Sequence, residues 1–296
     1  LEARLLVLLK TVDLEETLFE VGLKSSVSAA QNPVLAENIL RARGVMHDRL
    51  NQPGIMDLVE RFDLARYNRN ATMAENLLFG TPVGKTFDME NLAKNAYVRK
   101  VLDDTGLSSD LLKVGHKLAE TMVELFSDLP PGHELFEQFS FIQHDDLPGV
   151  KEILALVADI GLDRIAEADR NMLLGLPFKL ISARHRLGLV DEALETRVLE
   201  ARRRFAEGLP PALRGAVEFF DAEKYNGAAS LQDNILFGKI ATGQAESGTR
   251  IGALTRQILD ELALRPQVLK IGLDYQVGTG GTRLPVADRQ KVAIGR

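Results

Sequence analysis

Apolar residues in this chain recur at helical spacing. Ile251, Leu254, Ile258, Leu259 and Leu262 fall at steps of three and four, which places them on one face of a helix. Leu35, Ile39 and Leu40 form a similar stripe, as do Leu194, Val198 and Leu199, and the charged run "EARRRF" (200 to 205) beside the latter is expected to face water. Thr72 with Glu75, and Ser230 with Asp233, have the spacing of capping boxes, in which a side chain takes up the free amides of a helix start. Gly80 and Gly238 are expected to end those helices. Helices this short are marginal alone, so Leu77, Leu78 and Phe79, like Ile235, Leu236 and Phe237, need tertiary packing to hold them. In both places a polar, glycine-bearing loop and a longer amphipathic helix follow. The pattern predicts a mainly α fold, with a short strand expected within "LFEQFSFI" (135 to 142) and hence a possible strand pair there.

The two short helices belong to a duplication. Residues 61 to 80, "RFDLARYNRNATMAENLLFG", and 219 to 238, "FFDAEKYNGAASLQDNILFG", agree at nine positions without a gap. Downstream, "VLDDTGLSSDLLKVG" ending at Gly115 answers "ILDELALRPQVLKIG" ending at Gly272; upstream, "ILRAR" (39 to 43) answers "VLEAR" (198 to 202). An offset near 158 residues far exceeds solenoid periods. Two related helical lobes are expected, with copy one at 1–130 and copy two at 176–296. The segment 131–175, which has no partner in the other copy, is expected to connect them.

Composition narrows the function classes. The 296 residues are 45% hydrophobic and 26% charged, as in ordinary globular proteins. With 36 basic and 42 acidic residues the net charge is -6, which disfavours a nucleic-acid groove. Cysteine is absent, which excludes disulfides, thiolate metal sites and cysteine nucleophiles. The apolar run Leu5 to Leu9 is far shorter than the roughly 20 residues that cross a bilayer, so direct membrane insertion is not expected. The chain opens on Leu1 and closes at Arg296 within a run of helical character, and is expected to be a segment of a longer protein.

The C-terminal "VGTGGTRLPVADRQKVAIGR", taken with "SLQDNILFG", resembles the helical subdomain and signature segment of ABC transporter ATPases. The shared order is an Asn-Ile-hydrophobic-aromatic-Gly helix, an amphipathic pair, a glycine turn, a Leu-Ser-Gly-Gly-Gln signature and an Arg-Gln-basic helix. Val277, Gly278, Gly281, Leu284, Arg289, Gln290, Ala293, Ile294 and Arg296 match that pattern. The resemblance covers 229 to 296, and more weakly 71 to 115. It implies that Gly280, Gly281, Leu284, Pro285, Asp288, Arg289 and Gln290 stand where nucleotide is contacted. Yet Pro285 replaces the serine, Val286 and Ala287 the two glycines and Asp288 the glutamine, adding bulk and negative charge where phosphate would approach. The family's glutamine loop falls close to Ala222, without a glutamine. For the whole protein the resemblance implies ATP and magnesium as cofactors and a place at the cytoplasmic side of an inner or plasma membrane. The implied partners are a transmembrane domain or a second nucleotide-binding domain. For this chain it implies a role in transmitting nucleotide-driven motion or in domain contacts, with no chemistry alone. A non-enzymatic helical interaction module descended from an ABC ATPase is the alternative.

Other candidates carry less. Gly84, Lys85 and Thr86 stand in P-loop order, but Phe79 occupies the first glycine position and a capped helix precedes them instead of a strand. No Walker A or Walker B pattern occurs elsewhere. Lys179, Arg184, His185 and Arg186 form a basic cluster that could hold an anion or stand as a solvated helix end. "QHDD" (143 to 146) is expected to cap a helix rather than bind a metal. His47, His116 and His133 are isolated, so no catalytic residue or metal ligand is assigned.

Overall fold

Both capping boxes close. The Thr72 hydroxyl accepts the Glu75 amide at 3.1 Å while the Thr72 amide donates to the Glu75 carboxylate at 2.9 Å. At the second site the Ser230 hydroxyl accepts the Asp233 amide at 3.0 Å. In the computed structural model, residues 9–130, 132–281, 283 and 288–291 are described. The chain is mainly α. In order its helices are α1 (Glu15–Lys24), α2 (Pro33–Leu50), α3 (Met73–Leu78), α4 (Ala96–Asp104), α5 (Leu107–Phe126), α6 (Glu134–Phe139) and α7 (Leu147–Ile160). They continue with α8 (Glu167–Phe178), α9 (Ser182–His185), α10 (Glu192–Gly208), α11 (Leu231–Leu236), α12 (Ser247–Glu261) and α13 (Arg265–Leu273).

The helices α3 and α11 stop one residue earlier than expected, and the glycines do different work. Phe79 and Phe237 are the left-handed C-caps, at φ 45° and 43°. That conformation is costly for a residue with a Cβ and a bulky ring. Gly80 instead allows a close approach. It opens a three-residue strand paired antiparallel with Val217–Phe219, opposite Phe219, and a Cβ on it would lie 2.6 Å from the Glu218 carbonyl oxygen. This short pair is far from the segment "LFEQFSFI", where a strand was expected. Glu134–Phe139 is helix there, because His133 Nδ1 accepts the Leu135 amide and Phe136 is buried edge-on against Phe126.

Two compact units form, and neither is one copy. One draws on Leu1–Val59, Asp221–Ile240 and Ala245–Arg296; the other on Glu60–Phe220 and Ala241–Gln244. The first unit therefore packs α1 and α2 of copy one on α11, α12 and α13 of copy two, around Phe19, Ile39, Met46, Ile235, Ile258 and Val268. The second packs α3, α4 and α5 of copy one on α8 and α10, around Phe87, Leu102, Leu118, Phe178 and Phe205. The expected division into one lobe per copy, with 131–175 as a mere connection, does not describe this arrangement. From Glu167 onward the segment is the structural counterpart of α1. Gly115 in α5 meets the Leu173 carbonyl of α8, and Gly272 in α13 meets the Leu18 carbonyl of α1, each so closely that a Cβ would sit 2.0 Å from the oxygen. Likewise Met73 donates its amide to the Leu180 carbonyl, and Leu231 to the Ser25 carbonyl, both at 3.0 Å.

The run "EARRRF" does not simply face water, because Arg202 within it is only 2% exposed. Its Nε donates to the Asn76 carbonyl at 2.6 Å. Nη1 donates to the carbonyls of Asp63, Leu64 and Arg66 at 3.1, 2.9 and 3.1 Å, and Nη2 to Asn76 Oδ1 at 3.1 Å. Arg43 repeats this in the first unit, with Nε on the Asn234 carbonyl at 2.7 Å and Nη2 on Asn234 Oδ1 at 3.0 Å. Its Nη1 donates to the carbonyls of Asp221, Ala222 and Lys224 at 3.2, 2.7 and 2.9 Å. Each guanidinium also lies over the ring of the left-handed phenylalanine, at 4.6 Å for Arg202 on Phe79 and 4.9 Å for Arg43 on Phe237. Burial pushes both arginines down to about 10, so both stay charged at neutral pH.

Replacing Arg202 by Lys or Met should cost about 3 kcal/mol or more of unfolding free energy. A point-charge ammonium or a thioether leaves several buried carbonyls unsatisfied at about 1–3 kcal/mol each. The exposed neighbour Arg203→Ala should change stability by less than about 0.5 kcal/mol. Urea denaturation of the three variants checks this; equal effects at 202 and 203 would refute it.

Candidate functional site

The signature-like segment is only partly within the described residues. Leu284 and Pro285, with Val286 and Ala287, lie outside them. Gly280 and Gly281 belong to a single turn at Thr279–Gly281. Residues 288–291 are helical, with Arg289 and Gln290 exposed. Asp288, at the position of the family's glutamine, is 8% exposed and faces inward. Its carboxylate accepts the Thr17 hydroxyl at 3.4 Å and lies 3.8 Å from Lys291 Nζ, which also holds the Asp13 carboxylate at 2.9 Å. These contacts bind the C-terminal residues to the start of α1 and leave a carboxylate where a phosphate-binding amide donor would be needed.

Gly84, Lys85 and Thr86 stand in a turn after the strand Gly80–Pro82, with Gly84 and Lys85 exposed. Met73–Leu78 is helix, and the next helical turn begins only at Leu92. The Lys85 and Thr86 carbonyls accept the side-chain amides of Asn91 and Asn95, both at 3.1 Å. No helix N-terminus follows Thr86 directly to support a phosphate.

The basic cluster does not converge. Lys179 turns away to donate to the Phe141 carbonyl at 2.7 Å. His185 packs edge-on against Phe141, ring centres 4.6 Å apart, and its Nδ1 accepts the Ile181 amide at 3.0 Å. Burial, and then the neighbouring Arg184 charge, hold His185 below its ordinary value, so it stays neutral near pH 7. Arg184 is exposed. Only Arg186 reaches a cleft. That residue, left-handed at φ 49°, shares with Arg69, Ser182, Glu195 and Thr242 a cleft of about 640 Å³ whose apolar side is Leu187, Leu189 and Val190. Sequence spacing did not reveal this site, since Arg69, Ser182 and Thr242 lie in three distant segments.

Beside this cleft two buried hydroxyls are poorly served. Tyr67 is 7% exposed, and its hydroxyl and that of Ser182 lie close together without a well-formed hydrogen bond to each other or to any described residue. Burial pushes the Tyr67 phenol up to about 12, and the proximity of Ser182 opposes this only in part. His144, Asp145 and Asp146 form a short 3-10 turn rather than a convergent ligand set, with the Asp145 side chain fully exposed. Among the described residues no group of three or more histidines, cysteines or carboxylates is placed to hold a metal ion.

An acid whose folded-state pKa is raised favours the folded state fully below its unfolded value, and loses that contribution as pH climbs toward the folded value. For Tyr67 the window runs from about 10 to about 12. Tyr67→Phe should therefore be neutral or slightly stabilising at pH 7 and should show a smaller loss of stability across that window. Chemical denaturation at several alkaline pH values measures it, and an unchanged alkaline slope would count against the assignment. No family model matches the chain, and neither a curated protein nor a solved structure matches it.

Proposed function

We propose that this chain is the helical region of an ABC transporter-like ATP-binding protein, a part that transmits nucleotide-driven motion or carries domain contacts and performs no chemistry alone. The observation that carries this role is the stiffness built into both "N-L/I-L-F-G" helices. Each is capped at its start, ends on a left-handed phenylalanine and is pinned by a buried arginine to the loop before it. A helix fixed at both ends moves as a rigid body with its loop, which suits the relay of a displacement. By the resemblance, the partners are a transmembrane domain or a second nucleotide-binding domain at the cytoplasmic side of a membrane. The chain itself has no described helix long and apolar enough to cross one.

ATP and magnesium belong, in this proposal, to the whole protein. The described residues of the signature-like segment do not fit them, because the Asp288 carboxylate is turned to Thr17 and Lys291 and adds a negative charge beside the expected phosphate position. The same contact favours a second reading, a helical interaction module in which nucleotide no longer matters.

The purified chain mixed with magnesium and ATP should release no phosphate above the blank. Turnover that survives both rigorous purification and Lys85→Ala would overturn the proposal. The coding sequence on either side separates the two readings. A Walker A pattern ahead of Leu1 and an apolar strand ending in Asp-Glu beyond Arg296 support the transporter-type role; the lack of both supports the interaction module.

A further inference from the structure

In the cleft beside α9 the charged groups differ in how far they are already committed. Arg69 and Glu195 are locked together in a two-point fork, with hydrogen bonds of 2.7 and 3.1 Å. The Asp191 carboxylate caps α10 by accepting the Leu194 amide at 2.8 Å. Arg186 spends only its Nε, which donates to the Ala183 carbonyl at 3.2 Å, and its terminal nitrogens make no hydrogen bond or ion pair among the described residues. The guanidinium is nevertheless held in place. Nη2 rests against Gly243, where a Cβ would come within 2.4 Å of it. The adjacent Thr242 is anchored to Asn70 Oδ1 through its amide at 2.7 Å and its hydroxyl at 2.8 Å. The Ser182 hydroxyl, buried and without a hydrogen bond, lines the same cleft.

The internal duplication supplies a comparison. In the first unit the Tyr225 hydroxyl donates to the Val27 carbonyl at 3.0 Å, at the place where Tyr67 meets Ser182 and no such bond forms. The fork of Arg69 and Glu195 has Gly227 and Ala36 at the corresponding positions. The polar lining of this cleft is therefore not a requirement of the fold that the two units share. A buried donor left without a partner costs about 1–3 kcal/mol, and two lie together here.

We propose that this cleft binds a small aliphatic monocarboxylate, held between the Arg186 guanidinium and the Ser182 hydroxyl, with its hydrocarbon body along Leu187, Leu189 and Val190. The planar donor fork of arginine matches a carboxylate, and the apolar side accounts for the rest of the ligand. Charge selects against larger anions. Arg69 and Arg186 face Asp191, Glu192 and Glu195, a formal excess of one negative charge, so a phosphate dianion or a nucleotide would be repelled where a single carboxylate is matched to a single free guanidinium. The inference is independent of the resemblance to ABC transporter ATPases.

Isothermal titration of the full chain with sodium octanoate tests it, with octylammonium chloride and inorganic phosphate as comparisons. Octanoate should bind saturably in the millimolar range or tighter, and both comparisons at least about tenfold more weakly. Arg186→Gln should weaken octanoate about tenfold or more, and Ser182→Ala by several fold, with thermal midpoints near that of the parent chain. Absence of saturable octanoate binding would overturn the proposal, as would phosphate or octylammonium binding as well as octanoate. So would an undiminished affinity in a folded Arg186→Gln chain. If Arg186→Gln fails to fold, Gly243→Ala, which displaces the guanidinium from outside, takes its place with the same expected loss.

Discussion

A buried guanidinium organises each unit. The loop after residue 62 turns three carbonyls, those of Asp63, Leu64 and Arg66, toward one point, and the loop after residue 220 does the same with Asp221, Ala222 and Lys224. A point of converging carbonyl dipoles is unfavourable in a low-dielectric interior unless a cation fills it. Arginine suits the place because its five donors are rigid and planar, and here Nε, Nη1 and Nη2 all donate. The loss of hydration is offset by hydrogen bonds to a charged donor, each worth about 1.5–3 kcal/mol, and by the aromatic ring beneath the plane.

The asparagine that receives the guanidinium joins helix to loop. Asn76 accepts the Asn68 amide at 2.8 Å and donates to the carbonyls of Asn68 and Thr72 at 2.8 and 3.0 Å, so one side chain closes the loop onto the first turn of α3. Asn234 does the same with Asn226 and Ser230. The left-handed strain at Phe79 and Phe237 persists because cap, asparagine and arginine together over-determine the backbone there. Most identities between residues 61–80 and 219–238 have this source, among them the aspartate that starts the turn, the two asparagines and the phenylalanine under the cation.

Duplication combined with exchange of segments explains why the copies could diverge outside the clamps. Arg202 reaches Asn76 across 126 residues and Arg43 reaches Asn234 across 191, so each clamp closes a long loop and both copies are needed for either unit. Once that frame exists, peripheral positions are free to differ. The fork of Arg69 and Glu195 and the orphaned pair of Tyr67 and Ser182 occur only in the second unit, whereas Tyr225 in the first has an ordinary carbonyl partner.

Local features were legible in the sequence where their cause is local. Capping boxes, short helices and amphipathic stripes depend on residues within a turn or two, so spacing alone was enough for the mainly α class, for α3 and α11, and for the duplication. Long-range partners were not legible. Only Leu18 with Leu173 and Lys24 with Lys179 agree between α1 and α8, because packing there requires a smooth apolar ridge against Gly272 or Gly115 rather than particular side chains. Arg202 sits in a run of three arginines that reads as a wet face, and only the converging carbonyls of a distant loop turn one of them inward. The candidate cleft belongs to the same class: its cation, its hydroxyl and its anchored glycine are separated in sequence and become a site only when the chain crosses between copies, which periodicity cannot encode.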